Sequence, residues 1–339
     1  MTERVATTTG LLPLPDPAKS ELSDLKGYQK HDLISGTEGE EIASAYAEYR
    51  REVIDEQQSA GLDRVTEGQL RWDDMLAHPL TTHDNVDPNG IVRYYDNNNF
   101  YRDPQVRGEL DFSGDVADEL DTAAKLVDDP ADSLQAVLPG PYSLFDLASD
   151  EHYGDESEFF GAIADFLAGE VEAFPDHKTL TLHEPSLVEN PPNEDRVERL
   201  ADAVDTVASE TDADVIVHTY FGALDETTYA HLMDADVEAL GFDLVAGDRE
   251  DTLSNITEFG TKDAAALGIA DGQNTLVESA DTLTERVEWF EDQIPVQEFD
   301  RLYLSTNTEP FYLPVNKHRA KLKAIAAAAG NVDAEEVTA

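Results

Sequence analysis

Short β-rich runs alternate with helical patterns from one end of the chain to the other. About eight such runs stand out: Val5–Leu12, Asp63–Thr66, Ala136–Leu138, Thr179–His183, Val215–Tyr220, Phe242–Val245, Ala265–Ala270 and Leu302–Thr306. Several are unbroken apolar stretches, such as Val215-Ile216-Val217, as expected of strands covered on both faces. Between them Ile42, Tyr46, Tyr49 and Val53 recur at helical spacing, and so do Val197, Leu200, Val204 and Val207. Strands that alternate with helices predict parallel pairing through crossover helices. The length of 339 residues suits a single (β/α)8 barrel, an α/β fold for which about 250 residues is typical and more than about 400 occurs. We therefore expect one barrel over residues 1–332 and a frayed tail over 333–339.

The stretch Leu80–Leu110 breaks the rhythm, with clustered Asp, Asn, Pro and Gly. It reads as an elaborated loop, too long for a simple connection. Its aromatic residues Tyr94, Tyr95, Phe100 and Tyr101 argue for order and packing.

Charge narrows the function. Asp and Glu number 73 against 23 Lys and Arg, a formal net charge of -50 at pH 7, spread along the whole chain. With 40% hydrophobic residues the chain has enough apolar material for a core, so the acidity describes a surface and not disorder. At about 1 M salt the Debye length falls to roughly 3 Å and the self-repulsion is screened. That points to a protein of a high-salt cytoplasm. Nucleic acid and anionic membranes are excluded as partners, because both need clustered cations. There is no apolar run near the length of a membrane span, and the start MTERVATTTG lacks the pattern of a signal peptide, so the expected location is the cytoplasm. Cysteine is absent, which removes disulfides, thiol nucleophiles and Cys-ligated zinc.

Barrels of this class carry function at the carboxyl ends of their strands. Four places fit. Thr66-Glu67-Gly68-Gln69 offers Gln69 at a mouth position, against a glycine that only serves a turn. His183-Glu184-Pro185-Ser186 offers His183 and Glu184 as an acid/base pair, against a chance Glu in an acidic chain. His218, at the end of Val215–Tyr220, is either a ligand in the mouth or a histidine bonded to a neighbouring strand. Asp271-Gly272-Gln273-Asn274 offers Asp271, against a tight turn with no ligand. No phosphate-cradling GxxxxGK[ST] or GxGxxG occurs, and no H-E-x-x-H.

Taken in order, these places resemble the N-terminal barrel of cobalamin-independent methionine synthase. Arg93-Tyr94-Tyr95-Asp96-Asn97-Asn98-Asn99-Phe100-Tyr101 is similar to its K-W-F-D-T-N-Y-H-Y. Gly140-Pro141-Tyr142 is similar to G-P-V/T, Glu184-Pro185-Ser186-Leu187 to D-E-P-A-L, and Thr219-Tyr220-Phe221 to T-Y-F. Ile269-Ala270-Asp271-Gly272-Gln273-Asn274 is similar to V-V-D-G-R-N, and Leu304–Pro314 to the closing S-C-S-L-L-H-V-P.

The family moves a methyl group from 5-methyltetrahydrofolate polyglutamate to homocysteine, with two related barrels, the second holding zinc through His, Cys, Glu and Cys. Set against that second barrel, His218-Thr219-Tyr220 falls where H-x-C sits, with Tyr220 in place of the first cysteine, and no cysteine occurs near Asn307–Phe311. His183 stands where the family has Asp, and Gln273 where it has Arg. The resemblance therefore implies the non-zinc half encoded alone. This chain would bind no cofactor, 5-methyltetrahydrofolate would be its substrate, and a separate zinc-bearing methionine synthase barrel its partner. Arg93 matches the Lys that binds the glutamate tail, with Asp96 and Asn98 beside it and Lys19 in a faintly similar basic segment. Two rivals remain: a non-catalytic stabilising or regulatory subunit, and a barrel enzyme akin to uroporphyrinogen decarboxylase.

Overall fold

The apolar runs set the fold, and the residues that end them set its limits. A computed structural model describes residues 2–22, 40–72, 74–91, 101–294 and 297–333. Its strands are β1 (Glu3–Ala6), β2 (Val86–Ile91), β3 (Tyr101–Val106), β4 (Gln135–Pro139), β5 (Ser149–Asp150), β6 (Thr179–His183), β7 (Asp214–His218), β8 (Ala239–Asp243), β9 (Ala264–Ala270) and β10 (Arg301–Thr306). Seven of them form one curled parallel sheet in the order β1-β10-β9-β8-β7-β6-β4, and β2, β3 and β5 form a separate three-stranded sheet. Helices occupy the crossovers, among them Glu156–Glu172, Leu200–Ala208, Arg249–Phe259 and Ala280–Gln293, and Val315–Ala329 follows β10. Among the described residues no helix is long and apolar enough to cross a membrane.

The period of two along each strand sorts the core. Leu180, Leu182, Val215, Val217, Leu240, Leu302 and Leu304 belong to the large cluster shared with the helices. Their neighbours of opposite parity, Ile216, Ala239, Ala264, Ala266 and Tyr303, form a distinct cluster with Val5 on the concave face. Alanines opposite one large tyrosine let a tightly curved inner layer fill without voids. The same parity carries on to His183, His218 and Asp243, which therefore belong to the inner face at the carboxyl ends.

Three sequence expectations change. The run Val5–Leu12 is a strand only as far as Ala6, with one further bond from Thr7 N to Leu304 O at 2.9 Å, and the chain then turns at Gly10 (φ 82) and Leu11 (φ 37). The run Asp63–Thr66 is no strand and keeps one parallel bridge, Val65 to Leu134. Side chains replace its ladder: Asp63 Oδ2 accepts from the Ala6 N–H at 2.8 Å, and the Gln57 amide both accepts from Thr66 N and donates to Thr66 O, each at 2.9 Å. The segment still spans β1 and β4, since Asp63 N donates to Ala6 O at 2.9 Å and Gln135 N to Val65 O at 2.8 Å.

The expected loop Leu80–Leu110 contains a hairpin. β2 and β3 pair antiparallel from Val86–Val106 to Ile91–Tyr101, with Pro88 directly opposite Pro104. Two prolines can face each other only at a non-hydrogen-bonded pair, where neither missing N–H is needed. β2 is an edge strand, so the outward face of Pro88 meets no ladder. The connection 92–100, and the end of the chain at 334–339, lie outside the described residues.

Candidate functional site

Polar groups from the carboxyl ends of β1, β6, β7, β8 and β10 meet in the mouth. Thr9 Oγ1 lies 2.9 Å from Thr306 Oγ1. His183 Nε2 donates to Thr9 O at 2.7 Å, and His218 Nε2 to Asn307 O at 2.8 Å. Each imidazole thus carries its proton on Nε2, and burial holds both pKa values down to about 4. Both are neutral at pH 7. The two rings and that of Tyr220 form a triangle with centroids 5.6, 5.7 and 6.0 Å apart. Gly241 makes room for it, because a Cβ there would lie 2.3 Å from His218 Nδ1. His183 Nδ1 is buried and has no hydrogen-bond partner among the described residues.

The Tyr220 hydroxyl donates to Glu309 Oε1 at 2.9 Å. Burial raises the phenol and pushes the Glu309 carboxyl up to about 7. Asp74 lies near enough to raise both further. Its Oδ2 also accepts from the Arg102 N–H at 2.8 Å, one residue into β3. The distal end of the hairpin, from which 92–100 leave, is thereby tied beside the mouth.

Asp243 organises the rim. One carboxylate accepts from Val245 N and Ala246 N, both at 2.8 Å, from Phe221 N at 3.0 Å, and from Asn307 Nδ2 at 3.2 and 3.0 Å. Asn307 Oδ1 in turn accepts from Gly272 N at 2.9 Å. One Asp–Asn pair therefore links the loops that follow β7, β8, β9 and β10. Its removal leaves several buried donors unmet at about 1–3 kcal/mol each. Asp243→Ala is expected to lose about 3 kcal/mol or more of stability, read as a lower urea midpoint, with Asp243→Asn losing less. A midpoint equal to wild type would contradict this role.

The sequence candidates divide. His183 and His218 stand together at the centre. Glu184 is turned away, its Oε1 accepting from Tyr142 N at 2.9 Å and its Oε2 from Ser143 N at 2.7 Å, at the start of helix Pro141–Leu147. Burial outweighs these bonds and raises its carboxyl to about 7. It makes no bond to His183, so the acid/base pairing does not form. Gln69, at φ 50, spends its amide on backbone, accepting from Leu11 N at 2.6 Å and donating to Val137 O at 3.2 Å. Asp271 accepts from Gln273 N at 2.9 Å and Asn274 N at 3.1 Å, which is an Asx turn. Lys19 sits on helix Asp16–Leu22, 3.8 Å from Asp16. Arg93, Asp96 and Asn98 lie outside the described residues.

Sequence reasoning passed over Tyr220 with Glu309, Asp243 with Asn307, and two buried cations. Arg50 and Arg71 both pair with Glu119, and the Arg71 guanidinium lies 4.9 Å from the centre of the Tyr46 ring. Burial raises the nearby Glu67 carboxyl, and Arg50 opposes the rise. Among the described residues no three His, Asp or Glu side chains converge as a metal-binding group.

A curled parallel sheet with its polar groups gathered at the carboxyl ends defines an α/β barrel-type protein with a mouth site. Residues 80–295 match the family model described as cobalamin-independent synthase, N-terminal domain, and the chain belongs to that family. It is 24% identical over 226 residues to the methionine synthase of Thermoplasma volcanium, a match covering 63% of this chain and 61% of that protein. It is 23% identical over 233 residues to the 5-methyltetrahydropteroyltriglutamate–homocysteine methyltransferase of Bacillus subtilis, covering 67% of this chain and 30% of that enzyme. The matched stretch thus spans less than two thirds of either relative. In fold, the chain superposes on the B12-independent methionine synthase of a Shewanella species, solved in complex with selenomethionine, with a TM-score of 0.73, 18% identity and complete coverage of both chains.

Proposed function

We propose that the sheet closes through Val65 into a complete (β/α)8 barrel, and that this barrel is the folate-side half of a cobalamin-independent methionine synthase divided between two chains. A separate zinc-bearing barrel supplies the activated homocysteine thiolate. The methyl donor is a 5-methyltetrahydrofolate polyglutamate, and both chains work in the cytoplasm. The observation that carries the reading is the Tyr220–Glu309 hydrogen bond of 2.9 Å. It joins the two stretches in which the zinc-bearing barrel of the family has its cysteines. A phenol raised by burial and a carboxyl near 7 do not replace two thiolates. Chain chemistry at this mouth is therefore binding and orientation, with homocysteine activation left to the other barrel.

Arg93 is assigned to the donor's glutamate tail, with Asp96, Asn98 and Lys19 as the further folate-side candidates. A guanidinium grips carboxylates bidentately, which suits a flexible anionic tail. Losing one charge-assisted contact typically costs about 1.5–3 kcal/mol, or roughly 10- to 150-fold in affinity. Arg93→Ala is expected to weaken the triglutamate donor far more than the monoglutamate, by calorimetric titration with the zinc barrel present. Equal losses for both donors would assign Arg93 to ordering the connection instead.

A further inference from the structure

Lys321, on helix Val315–Ala329, is a fully buried lysine paired with Glu278. A buried ion pair is weak evidence of stabilisation, since an apolar pair of similar volume is often as stable or more so. What the pair holds in place therefore matters more than that it exists. Both bonds of the Lys321 ammonium go to the loop between β9 and helix Ala280–Gln293: it donates to the Leu276 carbonyl at 2.6 Å and to Glu278 Oε2. Glu278 Oε1 accepts from Asp271 N at 2.9 Å, and Arg286 Nη1, which donates to Ile269 O, lies 3.6 Å from the same oxygen. One carboxylate thus gathers both ends of the loop. Burial alone would raise the Glu278 carboxyl, and the Lys321 ammonium with the Asp271 N–H holds it below its usual value.

N–H groups inside the loop are tied as well. Asp271 Oδ1 takes those of Gln273 and Asn274, and Asn274 Oδ1 takes that of Leu276 at 3.0 Å. Gly272 N is held by Asn307 Oδ1, whose own carbonyl receives His218 at the centre of the mouth. A side chain at position 272 is excluded, because a Cβ there would lie 2.3 Å from Thr308 O. Against this fixed frame the side chains of Gln273, Asn274 and Thr275 stand exposed. Between Asp271 and Glu278 there is no charged side chain, so the loop offers neutral donors and acceptors and no grip on a carboxylate. A tied backbone with free polar tips pays little ordering entropy when those tips bind, and the loops at the strand ends are where barrels hold their ligands.

We propose that Lys321 is a positioning residue, which through Glu278 fixes the loop 271–276 as the recognition element for the uncharged ring portion of the methyl donor. The inference rests on the donor named in the proposed function. The test combines Lys321→Met with Glu278→Gln, since an amide at 278 still accepts from Asp271 N and no charge is left unpaired. The full chain is assayed for methionine formation with the zinc-bearing methionine synthase barrel, using 5-methyltetrahydrofolate in its monoglutamate and triglutamate forms. Thermal midpoint and hydrogen exchange over 271–276 are measured on the same samples. The double variant is expected to exchange faster in this loop and to raise the donor KM by roughly 10-fold for both forms alike, the size of one lost hydrogen bond. The homocysteine KM and the midpoint are expected to stay at wild type. An unchanged donor KM, with or without a lower midpoint, overturns the positioning role, and so does an equal rise for homocysteine. A loss confined to the triglutamate assigns the loop to the tail and overturns the ring. A wild-type mixture that makes no methionine overturns the divided-enzyme reading and this inference with it.

Discussion

Purified by itself, the chain is expected to carry no stoichiometric zinc and to leave homocysteine unmethylated at any donor concentration. A free thiol has a pKa near about 8.5, so only a few per cent is thiolate at neutral pH, whereas a zinc-bound thiol is deprotonated outright. The family's metal needs two cysteines, and this sequence has none. At the matching place the mouth holds Tyr220 bonded to Glu309 and two imidazoles whose Nε2–H groups are committed to carbonyls. Adding the zinc barrel is expected to switch turnover on. Metal analysis and methionine formation, measured for each chain alone and for the mixture, decide the matter. Zinc at one equivalent with turnover by this chain alone would overturn the divided-enzyme reading. Full turnover by the zinc barrel alone, unchanged on mixing, would make this chain a stabilising or regulatory subunit.

Loss of salt is expected to unfold the protein. With 73 acidic and 23 basic residues, the chain carries a formal net charge of -50 at pH 7. An acidic groove beside β7 and β8 concentrates five of the carboxylates on one surface. Screening lengths run from roughly 10 Å at about 0.1 M salt to roughly 3 Å at about 1 M. Neighbouring surface carboxylates therefore repel freely in dilute buffer and hardly at all in concentrated potassium chloride. Circular dichroism melts are expected to be cooperative near about 2 M salt and to lose cooperativity, or collapse to a much lower midpoint, near about 0.1 M. Equal midpoints at both would show that the acidity has another purpose.

Much of the sheet was legible because a strand covered on both faces must be apolar throughout. Thr179–His183 has the same bounds in sequence and structure, and Leu302–Thr306 differs by one residue. The hairpin was hidden because Val86–Ile91 and Tyr101–Val106 carry Pro, Asp, Asn and Gly, residues whose local preference is the turn. Asp63–Thr66 looked like a strand by composition, but the Gln57 and Asp63 side chains take over its pairing, which no periodicity records. In the site, His183 and His218 were found as strand-end histidines. Asp243 was missed because the strand was placed over Phe242–Val245, which puts the acid inside it. Counting by twos from Ile216 and Ala239 would have set it at the end, on the inner face with the histidines. Glu309 gave one local signal: a lone acid among the apolar residues that follow β10.

The paired prolines of the hairpin also govern how the protein meets other chains. A free strand edge is a template for strand addition, which is how folded proteins begin to aggregate. β2 presents such an edge, but Pro88 cannot donate from it, and Asp87 and Gly90 make it polar and conformationally loose. An incoming strand finds no continuous ladder to extend. In concentrated salt, where charge no longer keeps molecules apart, this broken edge supplies a form of protection against β-augmentation that the acidic surface cannot.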